Sequence, residues 1–236
     1  MPISERRGAA ARTTVVWEVL RPVLDRGPGD VLDLGGGTGV SAVRVAELGH
    51  RVTVVDPSPD ALASLARRAR EVGVEVAGHQ GDVGTLSDVP GPDGADVVLC
   101  HGVLEVVDDP AAALATIREV LRPGGHLSLL VAQRHAAVVA RALAGHFRQA
   151  LQLLDGEAPA GRSGRRFSQE ELDDLLADAG FEVASRHGVR VFADLVPGSL
   201  LDLEPGSTAA LVDLEHAVAA RSEFLPLATQ LHVLAR

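Results

Sequence analysis

The feature that most constrains the fold is a regular alternation of short aliphatic runs with helical patterns. Five such runs lie within the first 132 residues, at 31–35, 51–56, 74–78, 95–100 and 126–132. Continuous apolar runs separated by helices are typical of strands that are buried on both faces, so they predict a parallel sheet between layers of helices. Two later segments, 181–192 and 229–236, have strand character, and we therefore predict a sheet of seven strands.

Helix start signals stand between these runs. Ser58 and Asp109 each precede a proline that opens an apolar helical pattern, and Ser168 with Glu171 forms a capping box. The alternation lapses after the fifth strand, where an amphipathic pattern over 135–154 predicts one long helix. We predict an α/β protein with a Rossmann-like, doubly wound, mostly parallel seven-stranded sheet, helices on both faces and a helical insertion after strand 5.

Length and the lack of a long linker favour a single domain over residues 1–236, with an N-terminal helical segment at 1–29 and the insertion at 134–167. The N-terminus carries charge but no apolar core of a signal peptide, and arginine and histidine interrupt the most apolar later stretch. We therefore expect a cytoplasmic protein without a membrane partner.

Composition excludes several kinds of chemistry. The chain has no lysine, so all 22 basic residues are arginines and lysine-dependent mechanisms are excluded. Cys100 is the single cysteine, which excludes an intrachain disulfide and a multi-cysteine zinc site, and we expect no metal. A net charge of −10 argues mildly against strong electrostatic binding to nucleic acid.

The glycine-rich segment "GGGTG" after the first strand indicates where a ligand binds. A strand, a glycine turn and a helix at the start of a doubly wound sheet place backbone amides at the binding crevice. Asp56 ends the second strand about 20 residues further on, where its carboxylate can accept both hydroxyls of a ribose. The predicted ligand is an adenosine-type cofactor.

Two kinds of enzyme share this arrangement, and the residues separate them. The dinucleotide pattern G-x-G-x-x-G/A lacks its third small residue because Val40 stands there. The absence of tyrosine and lysine also removes the Tyr/Lys pair of one large class of nicotinamide reductases. The pattern that fits is D-x-G-x-G-x-G, from Asp33 through Gly39.

An ordered set of motifs resembles the class I methyltransferases that depend on S-adenosylmethionine (SAM). The set comprises "VLDLGGGTG", "VTVVDPS", "GD" at 81–82, "ADVVLCHGVLEVVDDP" and "LRPGGHLSLLV". The resemblance implies SAM as cofactor and S-adenosylhomocysteine (SAH) as product. It places the methionyl part on Gly35, Gly36 and Gly37, the ribose at Asp56 and Pro57, and the adenine at Gly81 and Asp82.

Further segments resemble the bacterial tRNA 5-carboxymethoxyuridine methyltransferase family. They are "RTTVVW" (12–17), "LCHGVLEVVDDP", "GVRVFADL" (188–195) and the ending "LPLATQLHVLAR". This resemblance implies that Arg12 and His101 contact the cofactor, and that the acceptor is a carboxylate on a modified wobble uridine of tRNA.

The acceptor side is predicted from charge. A carboxylate arrives anionic and needs positive charge rather than a general base, so no catalytic residue is predicted; an amine or hydroxyl acceptor would more often need one. The insertion would cover the acceptor site, and the candidates for binding the acceptor are Arg162, Arg165, Arg166 and Arg190.

Three alternatives stay open at this point. The first is a SAM-dependent methyltransferase that acts on a small molecule, the second a non-catalytic SAM-binding module, and the third a nicotinamide-dependent oxidoreductase. The sequence leaves the acceptor and the oligomeric state undetermined.

Overall fold

The computed structural model describes residues 3–88, 94–156, 164–201 and 206–236, and within these ranges the side chains of residues 3–13, 87–88 and 198 are outside the description. Its strands are β1 (Asp30–Leu34), β2 (Arg51–Asp56), β3 (Val76–Gln80), β4 (Ala95–His101), β5 (Leu121–Ala132), β6 (Val183–Val189) and β7 (Gln230–Ala235). Its helices are α1 (Ile3–Leu24), α2 (Val40–Ala46), α3 (Pro59–Val72), α4 (Pro110–Val120), α5 (Arg134–Leu143), α6 (Phe147–Leu154), α7 (Gln169–Asp178), α8 (Gly198–Leu201) and α9 (Ser207–Ala219), and 3₁₀ turns cover Val83–Asp88 and Leu225–Leu227.

The strands form one seven-stranded sheet in the order β3-β2-β1-β4-β5-β7-β6. The pairs β3–β2, β2–β1, β1–β4 and β4–β5 are parallel. Glu182 and Arg236 exchange both backbone hydrogen bonds, which is the pattern of an antiparallel pair and shows that β7 runs against β6. The sheet confirms the predicted Rossmann-like, mostly parallel fold with a helical insertion after strand 5.

The described chain forms two compact units. The glycine-turn unit comprises Leu20–Leu130, Asp173–Ala184 and Val233–Arg236, and the insertion unit comprises Met1–Val19, Val131–Leu172 and Ser185–His232. The single domain over residues 1–236 stays a prediction.

Aliphatic side chains fill the core of the glycine-turn unit. Val54 in β2, Val98 and Leu99 in β4, and Leu127 and Leu129 in β5 are fully buried. Helix α4 adds buried Leu114 and Ile117 to the same core. Burial of side chains of this size contributes roughly 1.5–3 kcal/mol each, so the sheet centre is the main source of stability in this unit.

The predicted helix caps are present. The Ser58 hydroxyl accepts from the Ala61 N–H at 3.3 Å, and the Asp109 carboxylate accepts from the N–H groups of Ala111 and Ala112. Ser168 and Glu171 bond reciprocally, as a capping box requires. These contacts satisfy backbone donors that a helix leaves unpaired at its start.

The prediction of a single helix over 135–154 is wrong, because the structure has two helices there, α5 and α6. Gly145 adopts a left-handed conformation at φ 77°, and its N–H donates to Ala142 while that of His146 donates to Arg141. A left-handed glycine that closes a helix end in this way is a common stop signal. The apolar side chains of this segment are also more exposed than expected, as Leu143, Phe147, Leu151 and Leu154 show.

Among the described helices, none is long and apolar enough to span a lipid bilayer.

An ion-pair network joins the amino ends of four strands in the glycine-turn unit. Buried Asp30 accepts from Arg51 at 2.6 Å and from Arg122 at 2.7 Å. Arg122 also donates to Asp96 at 2.8 Å. The Arg51 hydrogen bond, followed by that of Arg122, holds the pKa of Asp30 below its usual value despite burial.

We expect Arg122→Ala to lower the free energy of unfolding by more than the loss of an exposed ion pair does, because Asp96 loses its ion partner and buried Asp30 keeps only Arg51. Urea denaturation at neutral pH measures the change. Arg67→Ala is the matched control, since its contact with Glu71 is 3.8 Å long and exposed. The control should change the stability by no more than about 0.5 kcal/mol, and equal losses in both variants would contradict the role assigned to the network.

Candidate active site

The first two glycines of the turn after β1, Gly35 and Gly36, leave no room for side chains. Gly35 and Gly37 have left-handed φ values of 61° and 56°, which glycine adopts without steric cost. A Cβ atom on Gly36 would lie 2.7 Å from Oδ2 of Asp33, and one on Gly35 would lie 2.7 Å from Cγ2 of Val103. The bare backbone is therefore required by both conformation and space.

Asp56 ties the end of β2 to this turn. Its Oδ2 accepts from the Gly37 N–H at 2.9 Å, and its Oδ1 accepts from the Ser58 N–H at 2.8 Å. Each carboxylate oxygen can accept more than one hydrogen bond, so the group retains acceptor capacity toward a ligand. The arrangement fixes the carboxylate beside the glycine backbone.

A cavity of about 610 Å³ opens at the carboxyl ends of β1, β2 and β4 in the glycine-turn unit. This is where the strand order reverses between β1 and β4, the usual ligand position in an open α/β sheet. The volume lies within the range of small-molecule sites. Of the residues predicted to hold the cofactor, those that line the cavity are Gly35, Asp56, Pro57, Gly81, Asp82 and His101.

Gly36 and Gly37 belong to the same turn but are not part of the cavity lining. Their predicted contact with a ligand stays a prediction. The structure gives them a supporting position, since Gly36 packs against Asp33 and Gly37 donates to Asp56.

The segment after β3 forms another wall of the cavity. The Asp82 Oδ1 atom accepts from the Gly84 N–H at 2.9 Å, and the Asp82 N–H donates to the Thr85 hydroxyl at the same distance. A side chain on Gly81 would collide with that hydroxyl. Gly81 therefore allows a tight turn that holds Asp82 at the cavity.

His101 ends β4 with a fixed ring. Its Nε2 atom lies 2.8 Å from the hydroxyl of Ser128, which is fully buried in β5. Because one nitrogen is engaged in this way, the ring orientation at the cavity wall is set by the neighbouring strand.

The insertion unit brings together three of the arginines predicted to bind the acceptor. Phe167 donates to the Ala132 carbonyl at 3.0 Å, which places Arg165 and Arg166 next to the end of β5. Thr229 joins the same region, because its carbonyl accepts from Gln133 and its N–H donates to the Arg190 carbonyl at 3.1 Å. Backbone hydrogen bonds thus link the segments that carry Arg165, Arg166 and Arg190.

Arg190 has an unusual conformation. Its φ of 60° makes it the one non-glycine residue with positive φ in the part of the chain that the structure describes. Its Nη2 atom lies 2.8 Å from Oδ2 of Asp194, and its buried Nε atom has no hydrogen-bond partner among the described residues. Backbone strain of this kind is concentrated at functional sites.

Two predicted residues fall outside this geometry. Position 12 lies within α1, but the side chain of Arg12 is outside the described part of the structure, and so is the whole of Arg162. Their assignments stay predictions.

Comparison with known proteins identifies the family. Residues 7–186 match the family described as "Methyltransferase domain". The chain belongs to this methyltransferase family. It is a SAM-dependent methyltransferase, an enzyme that transfers methyl groups.

The relatives of this methyltransferase differ in their acceptors. It is 31% identical over 239 residues to the tRNA 5-carboxymethoxyuridine methyltransferase of Escherichia coli K12, covering 95% of this chain and 87% of that one. It is 35% identical over 115 residues to a ubiquinone biosynthesis O-methyltransferase of Xanthomonas euvesicatoria, covering 49% of this chain and 48% of that one. Among solved structures, the magnesium protoporphyrin IX methyltransferase of Synechocystis PCC 6803 with bound SAH shares the fold, with a TM-score of 0.67, 16% identity and coverage of 100% and 87%.

The structure of the methyltransferase adds two residues in the cavity wall and two behind it that were not among the predicted site residues. Val83 and Val103 supply apolar surface to the cavity, and Ser128 fixes His101 from behind. Asp33 lies under the glycine turn. Only Asp33 had a recognisable signal, as the first residue of the D-x-G-x-G-x-G pattern, whereas the others are ordinary core residues in sequence.

Two buried titratable groups lie in the strands at the cavity. Burial, and then the charge of Asp56, raise the pKa of Asp33 to about 7. Burial also raises the pKa of the fully buried Cys100 thiol far above its usual value. A thiol in that state is not a nucleophile, which agrees with its position inside β4.

We expect Asp33 to make the stability of the methyltransferase depend on pH. The folded state holds the Asp33 proton up to about pH 7, whereas an unfolded chain releases it near 3.8. The free energy of unfolding should therefore fall as pH rises from about 4 to 7, by at most about 1.4 kcal/mol per pH unit.

Asp33→Asn should remove this contribution, because the amide has nearly the same shape and stays neutral. Urea denaturation between pH 5 and 8 checks the prediction: the wild type should lose on the order of 2 kcal/mol more than the variant over this range. Parallel pH profiles for the two proteins would show that Asp33 is ionised throughout.

Proposed function

We propose that this methyltransferase binds SAM in the cavity of the glycine-turn unit and methylates the carboxylate of a 5-carboxymethoxyuridine in tRNA. The observation that carries the proposal is the placement of Arg166 and strained Arg190 on hydrogen-bonded segments in the insertion unit. The similarity to the Escherichia coli tRNA enzyme over nearly the whole chain supports it. A tRNA acceptor also implies the cytoplasmic location predicted from the sequence.

The residues at the cavity fit SAM. Gly35 lines the cavity, so its backbone is the part of the turn that would contact the methionyl group. The Asp56 carboxylate accepts ribose hydroxyls, and Asp82 with apolar Val83 and Val103 holds the adenine. The carboxylates of Asp56 and Asp82 line the cavity, and negative charge there favours a cationic ligand.

The chemistry places few demands on the protein. SAM supplies a methyl group on a sulfonium sulfur; a carboxylate oxygen forms the new C–O bond as the C–S bond breaks, SAH leaves as a neutral thioether, and no proton is transferred. The protein therefore has to align the acceptor rather than deprotonate it, and alignment alone supplies a large part of the acceleration.

Arginine suits the acceptor better than any other residue in this chain. A guanidinium donates two parallel hydrogen bonds to a carboxylate and stays charged at every physiological pH. Arg190 engages Asp194 through Nη2, and its Nε donor is without a partner in the described structure. Arg162, Arg165 and Arg166 would add positive charge for the RNA backbone, and Arg12 would bind the carboxylate of SAM.

A small-molecule acceptor is the second candidate. A net charge of −10 and an aromatic content of 3% are unfavourable for gripping and stacking RNA. The similarity to the ubiquinone biosynthesis enzyme covers half of the chain, which is consistent with a shared cofactor half and a different acceptor.

Labelled SAM distinguishes the two acceptors. The purified protein is incubated with methyl-labelled SAM and three acceptor pools: tRNA carrying 5-carboxymethoxyuridine, the same tRNA with unmodified uridine, and a small-metabolite extract. We expect label in the first pool only, and release of that label by mild alkali because a methyl ester hydrolyses readily. Label in the metabolite pool, alkali-stable label in RNA, or no label in any pool would contradict the proposed acceptor.

We expect Asp56→Asn to weaken the binding of SAM and SAH alike by about 10- to 100-fold, because a charge-assisted hydrogen bond contributes about 1.5–3 kcal/mol. Titration calorimetry measures both affinities. Asp60→Asn, in the first turn of α3, is the control and should leave them unchanged. If Asp56→Asn binds SAM and SAH as tightly as the wild type does, Asp56 does not bind the ribose.

We expect Arg190→Ala to reduce kcat/KM for the carboxymethoxyuridine tRNA by on the order of 100-fold, since a guanidinium–carboxylate contact is worth about 2–3 kcal/mol. The SAM affinity should stay within about two-fold. Arg148→Ala, an exposed arginine on α6, is the matched control and should keep its activity. Equal losses in both variants would indicate general electrostatic attraction instead of a specific contact.

A further inference from the structure

Glu215 on α9 binds a turn from inside the insertion unit. Its side chain is buried, with 1% of the residue exposed. One carboxylate oxygen accepts from the Val191 N–H at 2.8 Å, and the other accepts from the N–H groups of Phe192 and Ala193 at 2.8 and 2.7 Å. Three consecutive backbone amides thus converge on one carboxylate.

The turn held in this way begins at Arg190. The left-handed conformation of Arg190 turns the chain at the end of β6, and the next three amides point toward Glu215. Just before it, a Cβ atom on Gly188 would lie 3.0 Å from that of Ala228, so the approach to the turn is also tight.

Contacts at the other end of the turn fix the arginine side chain. Asp194 lies 2.8 Å from Nη2 of Arg190 and accepts from the Thr229 hydroxyl at 2.8 Å. Backbone and side chain of Arg190 are therefore held by different partners, the backbone through the amides that Glu215 binds and the guanidinium through Asp194.

A left-handed arginine persists only where its surroundings impose it. Burial of a carboxylate is unfavourable unless several donors reach it, and here three backbone donors do. The strained backbone at Arg190 directs three amides toward Glu215. Their hydrogen bonds to the carboxylate offset both the backbone strain and the burial of the charge.

We propose that Glu215 is a positioning residue for the acceptor: it binds the amides of residues 191–193 and thereby keeps Arg190 in the conformation that presents its guanidinium to the acceptor carboxylate. This inference rests on the proposed function, since it gives Glu215 a role through Arg190. Glu215 itself contacts neither cofactor nor acceptor.

Glu215→Gln tests the inference with little change in volume. The amide has a single acceptor oxygen, and its NH₂ group would face a backbone N–H, so one or more of the three hydrogen bonds is lost. With SAM and the carboxymethoxyuridine tRNA, we expect kcat to fall at least ten-fold, because misalignment acts on the transition state. We expect KM for the tRNA and Kd for SAM to change less than three-fold.

Val233→Ala is the control for loss of stability alone. Val233 is buried in β7 within the glycine-turn unit. Its truncation should therefore lower the melting temperature and leave residues 190–194 of the insertion unit unchanged. The control should keep its kcat within two-fold. If Val233→Ala loses as much kcat as Glu215→Gln at a similar melting temperature, Glu215 is only a structural residue and the inference is overturned.

A double-mutant cycle decides whether Glu215 acts through Arg190. The variant Arg190→Ala/Glu215→Gln should be no more than about three-fold less active than Arg190→Ala, because the second change removes support from a side chain that is already gone. If the activity loss of the double variant equals the product of the two single losses, the inference is overturned.

The experiments distinguish failure of the proposed function from failure of the inference about Glu215. If the wild type binds SAM and transfers no label to the carboxymethoxyuridine tRNA, both proposals fall. If the wild type is active and Glu215→Gln is equally active, the proposed function stands and the inference alone is overturned.

Discussion

The hydrogen bond between the Gly37 amide and the Asp56 carboxylate connects the ends of the two strands beside the cavity of the glycine-turn unit. It joins the turn after β1 to the end of β2, and parallel pairing of these strands brings the two within reach. The same turn excludes side chains because Asp33 and Val103 occupy the adjacent space. The parallel register of β1 and β2, the glycines of the turn and the position of the Asp56 carboxylate therefore depend on one another.

The two units contribute different chemistry. The glycine-turn unit holds a carboxylate-lined cavity suited to a cationic nucleoside, whereas the insertion unit gathers arginines around the end of β5. A methyltransferase with the anionic acceptor that we propose would use both kinds of site. Within the described residues no cluster of histidine, cysteine and acidic side chains could hold a metal ion.

Sequence reasoning succeeded where a single local signal determines the structure. The caps at Ser58 and Asp109 and the continuous aliphatic run of β2 predicted elements that the structure contains. It failed at Gly145, because the apolar periodicity continues through a residue whose left-handed conformation ends the helix. Glu215 and Ser128 were not predicted because they act from buried positions on distant segments, and nothing in the neighbouring sequence distinguishes such a glutamate from an exposed one.

The charge network of Asp30, Arg51, Arg122 and Asp96 lies at the amino ends of the strands, and the cavity lies at their carboxyl ends. In the glycine-turn unit, the ion pairs between the strands are therefore separated by the length of the strands from the cavity. Substitutions that strengthen this network should therefore raise the melting temperature and leave the geometry of the cavity unchanged.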